Sequence, residues 1–147
     1  MNLETIQLDK ILVPIDGSRQ AFEAARRAVY IAGLNHAEVT LLCVVDLNKE
    51  VAAFEQVSLS GYVPAELKEG AYNLLTELMH EIPREVRATA QVEVGTPAEV
   101  IVETAQDGGF DLIVMGSRGF GTIKSLIMGS VSQYVLQHAH CPVLVVR

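Results

Sequence analysis

Asp111-Leu112-Ile113-Val114-Met115-Gly116-Ser117-Arg118-Gly119 joins a short apolar run to a pair of glycines. The run reads as a buried strand, and the glycines fall where that strand ends. Glycine just past a strand's C-terminal end lets backbone N–H groups approach an anion closely. Nine residues after Gly119 comes Gly129-Ser130, at the head of a helix-like segment that adds a second set of donors. Together these are the parts of a phosphate cradle. The plainer alternative is that the glycines only mark turns.

Outward from this stretch the chain alternates between strand and helix patterns. Lys10-Ile11-Leu12-Val13-Pro14-Ile15 is a continuous apolar run, as expected of a strand buried on both faces. Pro14 donates nothing to a ladder, so it belongs at the strand's C-terminal end. Asp16-Gly17-Ser18 then turns the chain, and Ser18 is placed to cap a helix ending near Gly33. Phe22, Ala25, Val29 and Ala32 mark one face of that helix. Val39 to Val45 is the second strand, ending at Asp46.

A loop from about 47 to 63 follows, carrying Gly61. Pro64 suits the first turn of the next helix, whose apolar spacing runs through Ala71, Leu74, Leu75, Leu78 and Ile82 until Pro83 stops it. Ala88 to Val94 alternates apolar with polar, which places this third strand nearer an edge. Thr96-Pro97-Ala98-Glu99 predicts a helix start with a capping threonine, and Gly108-Gly109 lies past the helix end at Asp107. The fourth strand is Asp111 to Met115. A last helix from Ser130 to about Ala139 presents Val131, Tyr134, Val135 and His138, before the strand Pro142 to Val146.

This β-α-β-α-β-α-β-α-β order predicts an α/β fold: a three-layer, open, twisted parallel sheet of five strands with four helices. Ligands of such sheets bind beyond the carboxyl ends of the strands, where strand order reverses. For the order 3-2-1-4-5 that point lies between the first and fourth strands. Asp16 and Gly116 then meet in space.

Composition bounds the function. A chain of 147 residues reads as a single domain spanning 1–147, and half of its residues are apolar, enough for a core. The net charge of −7 argues against nonspecific nucleic-acid binding and against an anionic membrane surface. Cys43 and Cys141 lie in apolar runs and form no CxxC or zinc spacing. The start of the chain lacks the basic and apolar regions of a signal peptide, and no apolar run reaches the ~18 residues that span a bilayer. A cytoplasmic location is the expectation.

Two familiar phosphate loops do not fit. Gly116 to Gly121 has the first spacing of a Walker A loop, but Thr122 stands where the lysine belongs. Gly119-x-Gly121 follows the fourth strand rather than the first, and Lys124 replaces the last glycine of a dinucleotide fingerprint.

The spacing that does fit is G-x2-G-x9-G-[ST]: Gly116, Gly119, Gly129 and Ser130. With Ile11 to Ser18, Gly95-Thr96-Pro97-Ala98-Glu99, Asp111 to Ser117 and Cys141 to Val146, the chain resembles the universal stress proteins of the ATP-binding subgroup. The likeness covers nearly the whole chain, with the 47–63 loop as the departure. It implies an adenine nucleotide α-hydrolase-like fold and a nucleotide-binding regulator or sensor in the stress response. The ligand it implies is ATP, with ADP or AMP as alternatives, and Mg²⁺ or Mn²⁺ held through the phosphates.

Residue by residue, the resemblance implies Asp16 beside the adenosine, with Pro14 and Ile15 next to it. Val44 lines the adenine pocket through its backbone. Met115, Gly116, Gly119, Gly129 and Ser130 serve ribose and phosphates, Val131 and Ser132 add backbone or hydroxyl donors, and Arg118 offers a guanidinium. Each residue has a plainer role: Asp16 as a turn residue, Ser130 as a helix cap, Val44 as core.

His138 and His140 suit a helix C-terminus better than a metal. His36 and His80 sit in polar surroundings, and Arg26-Arg27 reads as a solvated helix face. No nucleophile–base constellation can be assembled from spacing, so a regulator is favoured over a slow ATPase, an autophosphorylating protein or an adenylyl-transfer enzyme. A nucleotide-independent protein working through unknown protein partners is the other alternative. The apolar strand 142–146 would be an open sheet edge, and pairing with a second copy would cover it; such homodimers are common in the family.

Overall fold

The first strand, β1 (Lys10–Pro14), is central, and Ile11, Leu12 and Val13 have no exposed surface. A computed structural model describes residues 1–46, 48, 65–117 and 128–147. Within it, β1 pairs in parallel with β2 (Glu38–Val45) on one side and β4 (Leu112–Gly116) on the other. The strands β3 (Arg87–Val94) and β5 (Val143–Val146) are the edges, so the order is β3-β2-β1-β4-β5, as the alternation predicts. Four helices flank this sheet among the described residues: α1 (Arg19–Asn35), α2 (Ala65–Glu81), α3 (Pro97–Asp107) and α4 (Ser130–His138).

Successive strand residues point to opposite faces. Ile11, Val13, Val39, Leu41 and Val114 therefore share one core with α1 and α2, while Leu12, Leu42, Val44, Ile113 and Met115 share another with α3 and α4. β3 has no fully buried residue, consistent with its edge position.

Several boundaries differ from expectation. α1 continues past Gly33 to Asn35, and His36 ends it in the left-handed region at φ 56° and ψ 32°. Gly33 is exposed and nothing there halts the helix, whereas histidine tolerates the left-handed cap. The buried face of α1 is an alanine stripe, Ala21, Ala24, Ala25, Ala28 and Ala32. Phe22 and Val29 turn toward α2, where they line a groove of about 430 Å³ with Leu78 and Ile82.

Thr96 occupies the cap position of α3, but its side chain makes no capping bond; Pro97 and Glu99 open that helix. Asp111 precedes β4 rather than starting it, and its carboxylate accepts the backbone N–H groups of Asp9 and Lys10, both at 2.9 Å. On α4 it is Ser132, not His138, that is buried beside Val135. The 47–63 loop, apart from residue 48, lies outside the described residues, as do Pro64, Arg118 and Gly119.

Candidate functional site

The switch point joins two segments far apart in the chain. β1 and β4 are paired neighbours, so Asp16 past one and Gly116 at the end of the other lie at the same sheet end. Pro14 pairs with Leu42, and the Ile15 N–H donates to the Leu42 carbonyl at 2.7 Å, extending the ladder past β1. The side chains of Pro14, Ile15, Val44 and Met115 are all buried.

Asp16, Gly17 and Ser18 form a self-satisfied turn. Asp16 Oδ1 accepts the Ser18 N–H at 2.9 Å, Gly17 takes φ 83°, and Ser18 Oγ accepts the Ala21 N–H at 3.2 Å. The first turn of α1 is thus capped by its own sequence. The Cys43 thiol is pushed up from its ordinary pKa, first by burial and then by the nearby Asp16 charge.

Gly116 carries a steric role that its motif did not disclose. A Cβ there would lie 2.7 Å from Gln20 Cβ and 2.9 Å from the Gln20 backbone carbon. The first turn of α1 packs so closely on the end of β4 that only glycine fits without movement. No pattern in the local sequence announces this contact, because its two partners lie nearly a hundred residues apart.

α4 opens differently from α1. Gly129 is its cap residue, with φ −62° and ψ 154°, and it has no side chain to bond the turn. The Gly129 N–H donates to the Ser117 carbonyl at 2.7 Å, and the Gly129 carbonyl accepts the first helical bond, from Gln133 at 3.0 Å. The amides of Ser130, Val131 and Ser132 precede that bond, so the helix itself leaves them unpaired. They present the positive end of the helix dipole beside the end of β4. Ser132 Oγ donates to the Gly116 carbonyl at 2.9 Å in a buried setting.

The structure therefore ties Gly116 to Ser132 and Ser117 to Gly129 at the start of α4, and Asp16 follows the strand that pairs with β4. Among the described residues no group of three or more His, Cys, Asp or Glu side chains is arranged to hold a metal. His138 stacks on Tyr134 with ring centroids 4.0 Å apart, its Nδ1 lying 2.9 Å from the Tyr134 carbonyl in the last turn of α4. A groove of about 730 Å³ lies away from the switch point, on the polar face of β3 beside α3. Sequence reasoning missed it, since it forms between Thr40, Thr89 and Gln91 of the sheet and Glu103 and Thr104 of α3, which are far apart in the chain.

Comparison with known proteins matches this fold. The family model described as "Universal stress protein family" matches residues 7–147. A universal stress protein of Methanocaldococcus jannaschii is 36% identical over 151 residues, covering 94% of this chain and 81% of its own. The solved universal stress protein UspA of Lactobacillus plantarum superposes with a TM-score of 0.81 at 26% identity, covering 97% of this chain and 100% of that one. A universal stress protein solved in complex with cAMP has a TM-score of 0.69 at 25% identity, covering 97% of this chain and 98% of that one. With a five-stranded parallel sheet in the order 3-2-1-4-5 and a family match over all but its first six residues, the chain belongs to the universal stress protein family.

Proposed function

We propose that this chain binds an adenine nucleotide across the β1–β4 switch point and acts as a nucleotide-dependent regulator or sensor in the stress response. The observation that carries the reading is the start of α4. Three amides, of Ser130, Val131 and Ser132, stand unbonded by the helix behind a glycine cap that cannot bond them. Such a terminus is a ready site for phosphate. The solved universal stress protein in complex with cAMP supports an adenine nucleotide as the ligand class.

In this reading Asp16, with the backbone of Pro14 and Ile15, holds the adenosine, and the Val44 backbone meets the adenine. The backbone of Met115 and Gly116 meets the ribose. Ser130, Val131 and Ser132 offer amides to the phosphates, with Gly129 shaping the approach. Arg118 and Gly119 enter from the sequence motif alone. ATP is the proposed ligand, with ADP and AMP as alternatives, and Mg²⁺ or Mn²⁺ would be held mainly by phosphate oxygens. The span of the family match supports a single domain over 1–147. The open β5 edge supports a homodimer through residues 142–146. No described helix is long and apolar enough to cross a membrane, which accords with a cytoplasmic protein.

The test is calorimetric titration of nucleotide-stripped protein with ATP and Mg²⁺, alongside Gly129→Arg. Binding by the wild type and none by the variant is expected. At about 100 times Kd the ligand adds about 2.7 kcal/mol of stability, so thermal unfolding checks the same point. No heat and no thermal shift at millimolar ATP would overturn the reading.

A further inference from the structure

Ser132 is the third residue of α4 and is only 2% exposed. Its hydroxyl donates to the Gly116 carbonyl at 2.9 Å. A hydroxyl has one proton, so while that bond stands Ser132 Oγ has none to give a phosphate. The contact role that the family resemblance implies for this hydroxyl is therefore closed, and only its amide is left to face a ligand.

The bond joins the last residue of β4 to the first turn of α4. A second tie lies beside it, from the Gly129 N–H to the Ser117 carbonyl at 2.7 Å. The two bonds fasten the segments that precede and follow residues 118–127. Apolar anchorage of this first turn comes from the partly buried Val131, which packs against the second core; among the described residues of α4 only Ser132 and Val135 are fully buried. The helix has no side-chain cap of its own, in contrast to α1, where Ser18 provides one. The orientation of the first turn of α4 is then set by these two hydrogen bonds together with the packing of Val131.

We infer that Ser132 is a positioning residue of the nucleotide site: by bonding the Gly116 carbonyl it holds the amides of Ser130 and Val131 in line with the end of β4. This rests on the nucleotide reading above and goes beyond it, since it places phosphate affinity under a side chain that does not touch phosphate. In that reading the base and Asp16 contacts of adenosine lie at the β1 and β2 strand ends and only its ribose reaches Gly116, so adenosine is expected to feel Ser132 far less than the phosphates do. The nucleoside and its triphosphate therefore separate positioning from general damage to the fold.

The experiment titrates wild type, Ser132→Ala and Ser132→Thr with adenosine and with ATP and Mg²⁺, and follows thermal unfolding of each. Ser132→Ala is expected to weaken ATP about tenfold, the scale of one lost buried hydrogen bond, and to leave adenosine within about twofold. Ser132→Thr, which restores the hydroxyl, is expected to recover ATP binding. If threonine finds no room and unfolds the protein, Ser132→Cys keeps the volume and gives up the strong donor, and must reproduce the alanine result. Equal weakening of adenosine and ATP assigns Ser132 a general structural role and overturns the inference. Wild type that binds ATP while Ser132→Ala binds it equally overturns the inference and leaves the nucleotide reading standing. Wild type that binds neither ligand overturns both.

Discussion

A methyl group at residue 116 would press on Gln20 Cβ at 2.7 Å and on backbone behind it, so Gly116→Ala must move α1 or β4. Overpacking of this kind costs about 1–3 kcal/mol, and a urea midpoint should fall accordingly. Ser18→Ala removes the acceptor for the Ala21 N–H and should cost about 1 kcal/mol by the same measurement. Cys43 gives a pH test. Its folded pKa is raised above the ordinary 9.0, so the folded chain holds this proton more tightly than the unfolded chain does. Its contribution is complete below about 9.0 and is lost as pH rises through the folded value. Wild type should lose stability faster than Cys43→Ala between pH 8 and pH 10. Ser18 and Asp16 were legible as a cap and a turn because their partners lie two or three residues away. The steric reason for Gly116 was not, because its partner lies nearly a hundred residues upstream.

Strands were the easiest elements to read, since buried parallel strands leave continuous apolar runs. Their ends shifted where a polar side chain found distant work. Asp111 looked like the first residue of a strand, yet its carboxylate holds the start of β1 through the Asp9 and Lys10 amides. Asp111→Ala leaves both N–H groups without that acceptor and should lower stability by about 1–2 kcal/mol, read from denaturant midpoints. Hydrogen exchange should quicken at Asp9 and Lys10 before it quickens in mid-strand. Helix faces were read less well. Periodicity marked Phe22, Ala25, Val29 and Ala32; the sheet takes the two alanines with Ala21, Ala24 and Ala28, and Phe22 and Val29 line the α1–α2 groove. The same substitution of small for large occurs on α4, where buried Ser132 displaces the expected His138.

At the scale of the molecule, β5 is an edge strand beside β4 with no further strand paired to it among the described residues, and Leu144 is 39% exposed on it. Backbone groups on such an edge invite a further strand. Light scattering should give a dimer for wild type and a monomer for Leu144→Lys, with thermal midpoints close together because the side chain is already partly solvated. A monomeric wild type, or a lysine variant that remains dimeric, would refute pairing through residues 142–146. The sequence alone determined that the sheet is parallel and of α/β type, because apolar runs alternating with amphipathic helices have no other way to bury both faces. It also determined that Asp16 and Gly116 belong to one end of that sheet, since both follow strands that run the same way. Only the tertiary structure decided how the groups at that end are used. It gave Gly116 to the close approach of α1, Ser132 Oγ to the Gly116 carbonyl, and the Gly129 amide to Ser117. Those choices depend on distances between segments far apart in the chain, and local pattern carries no record of them.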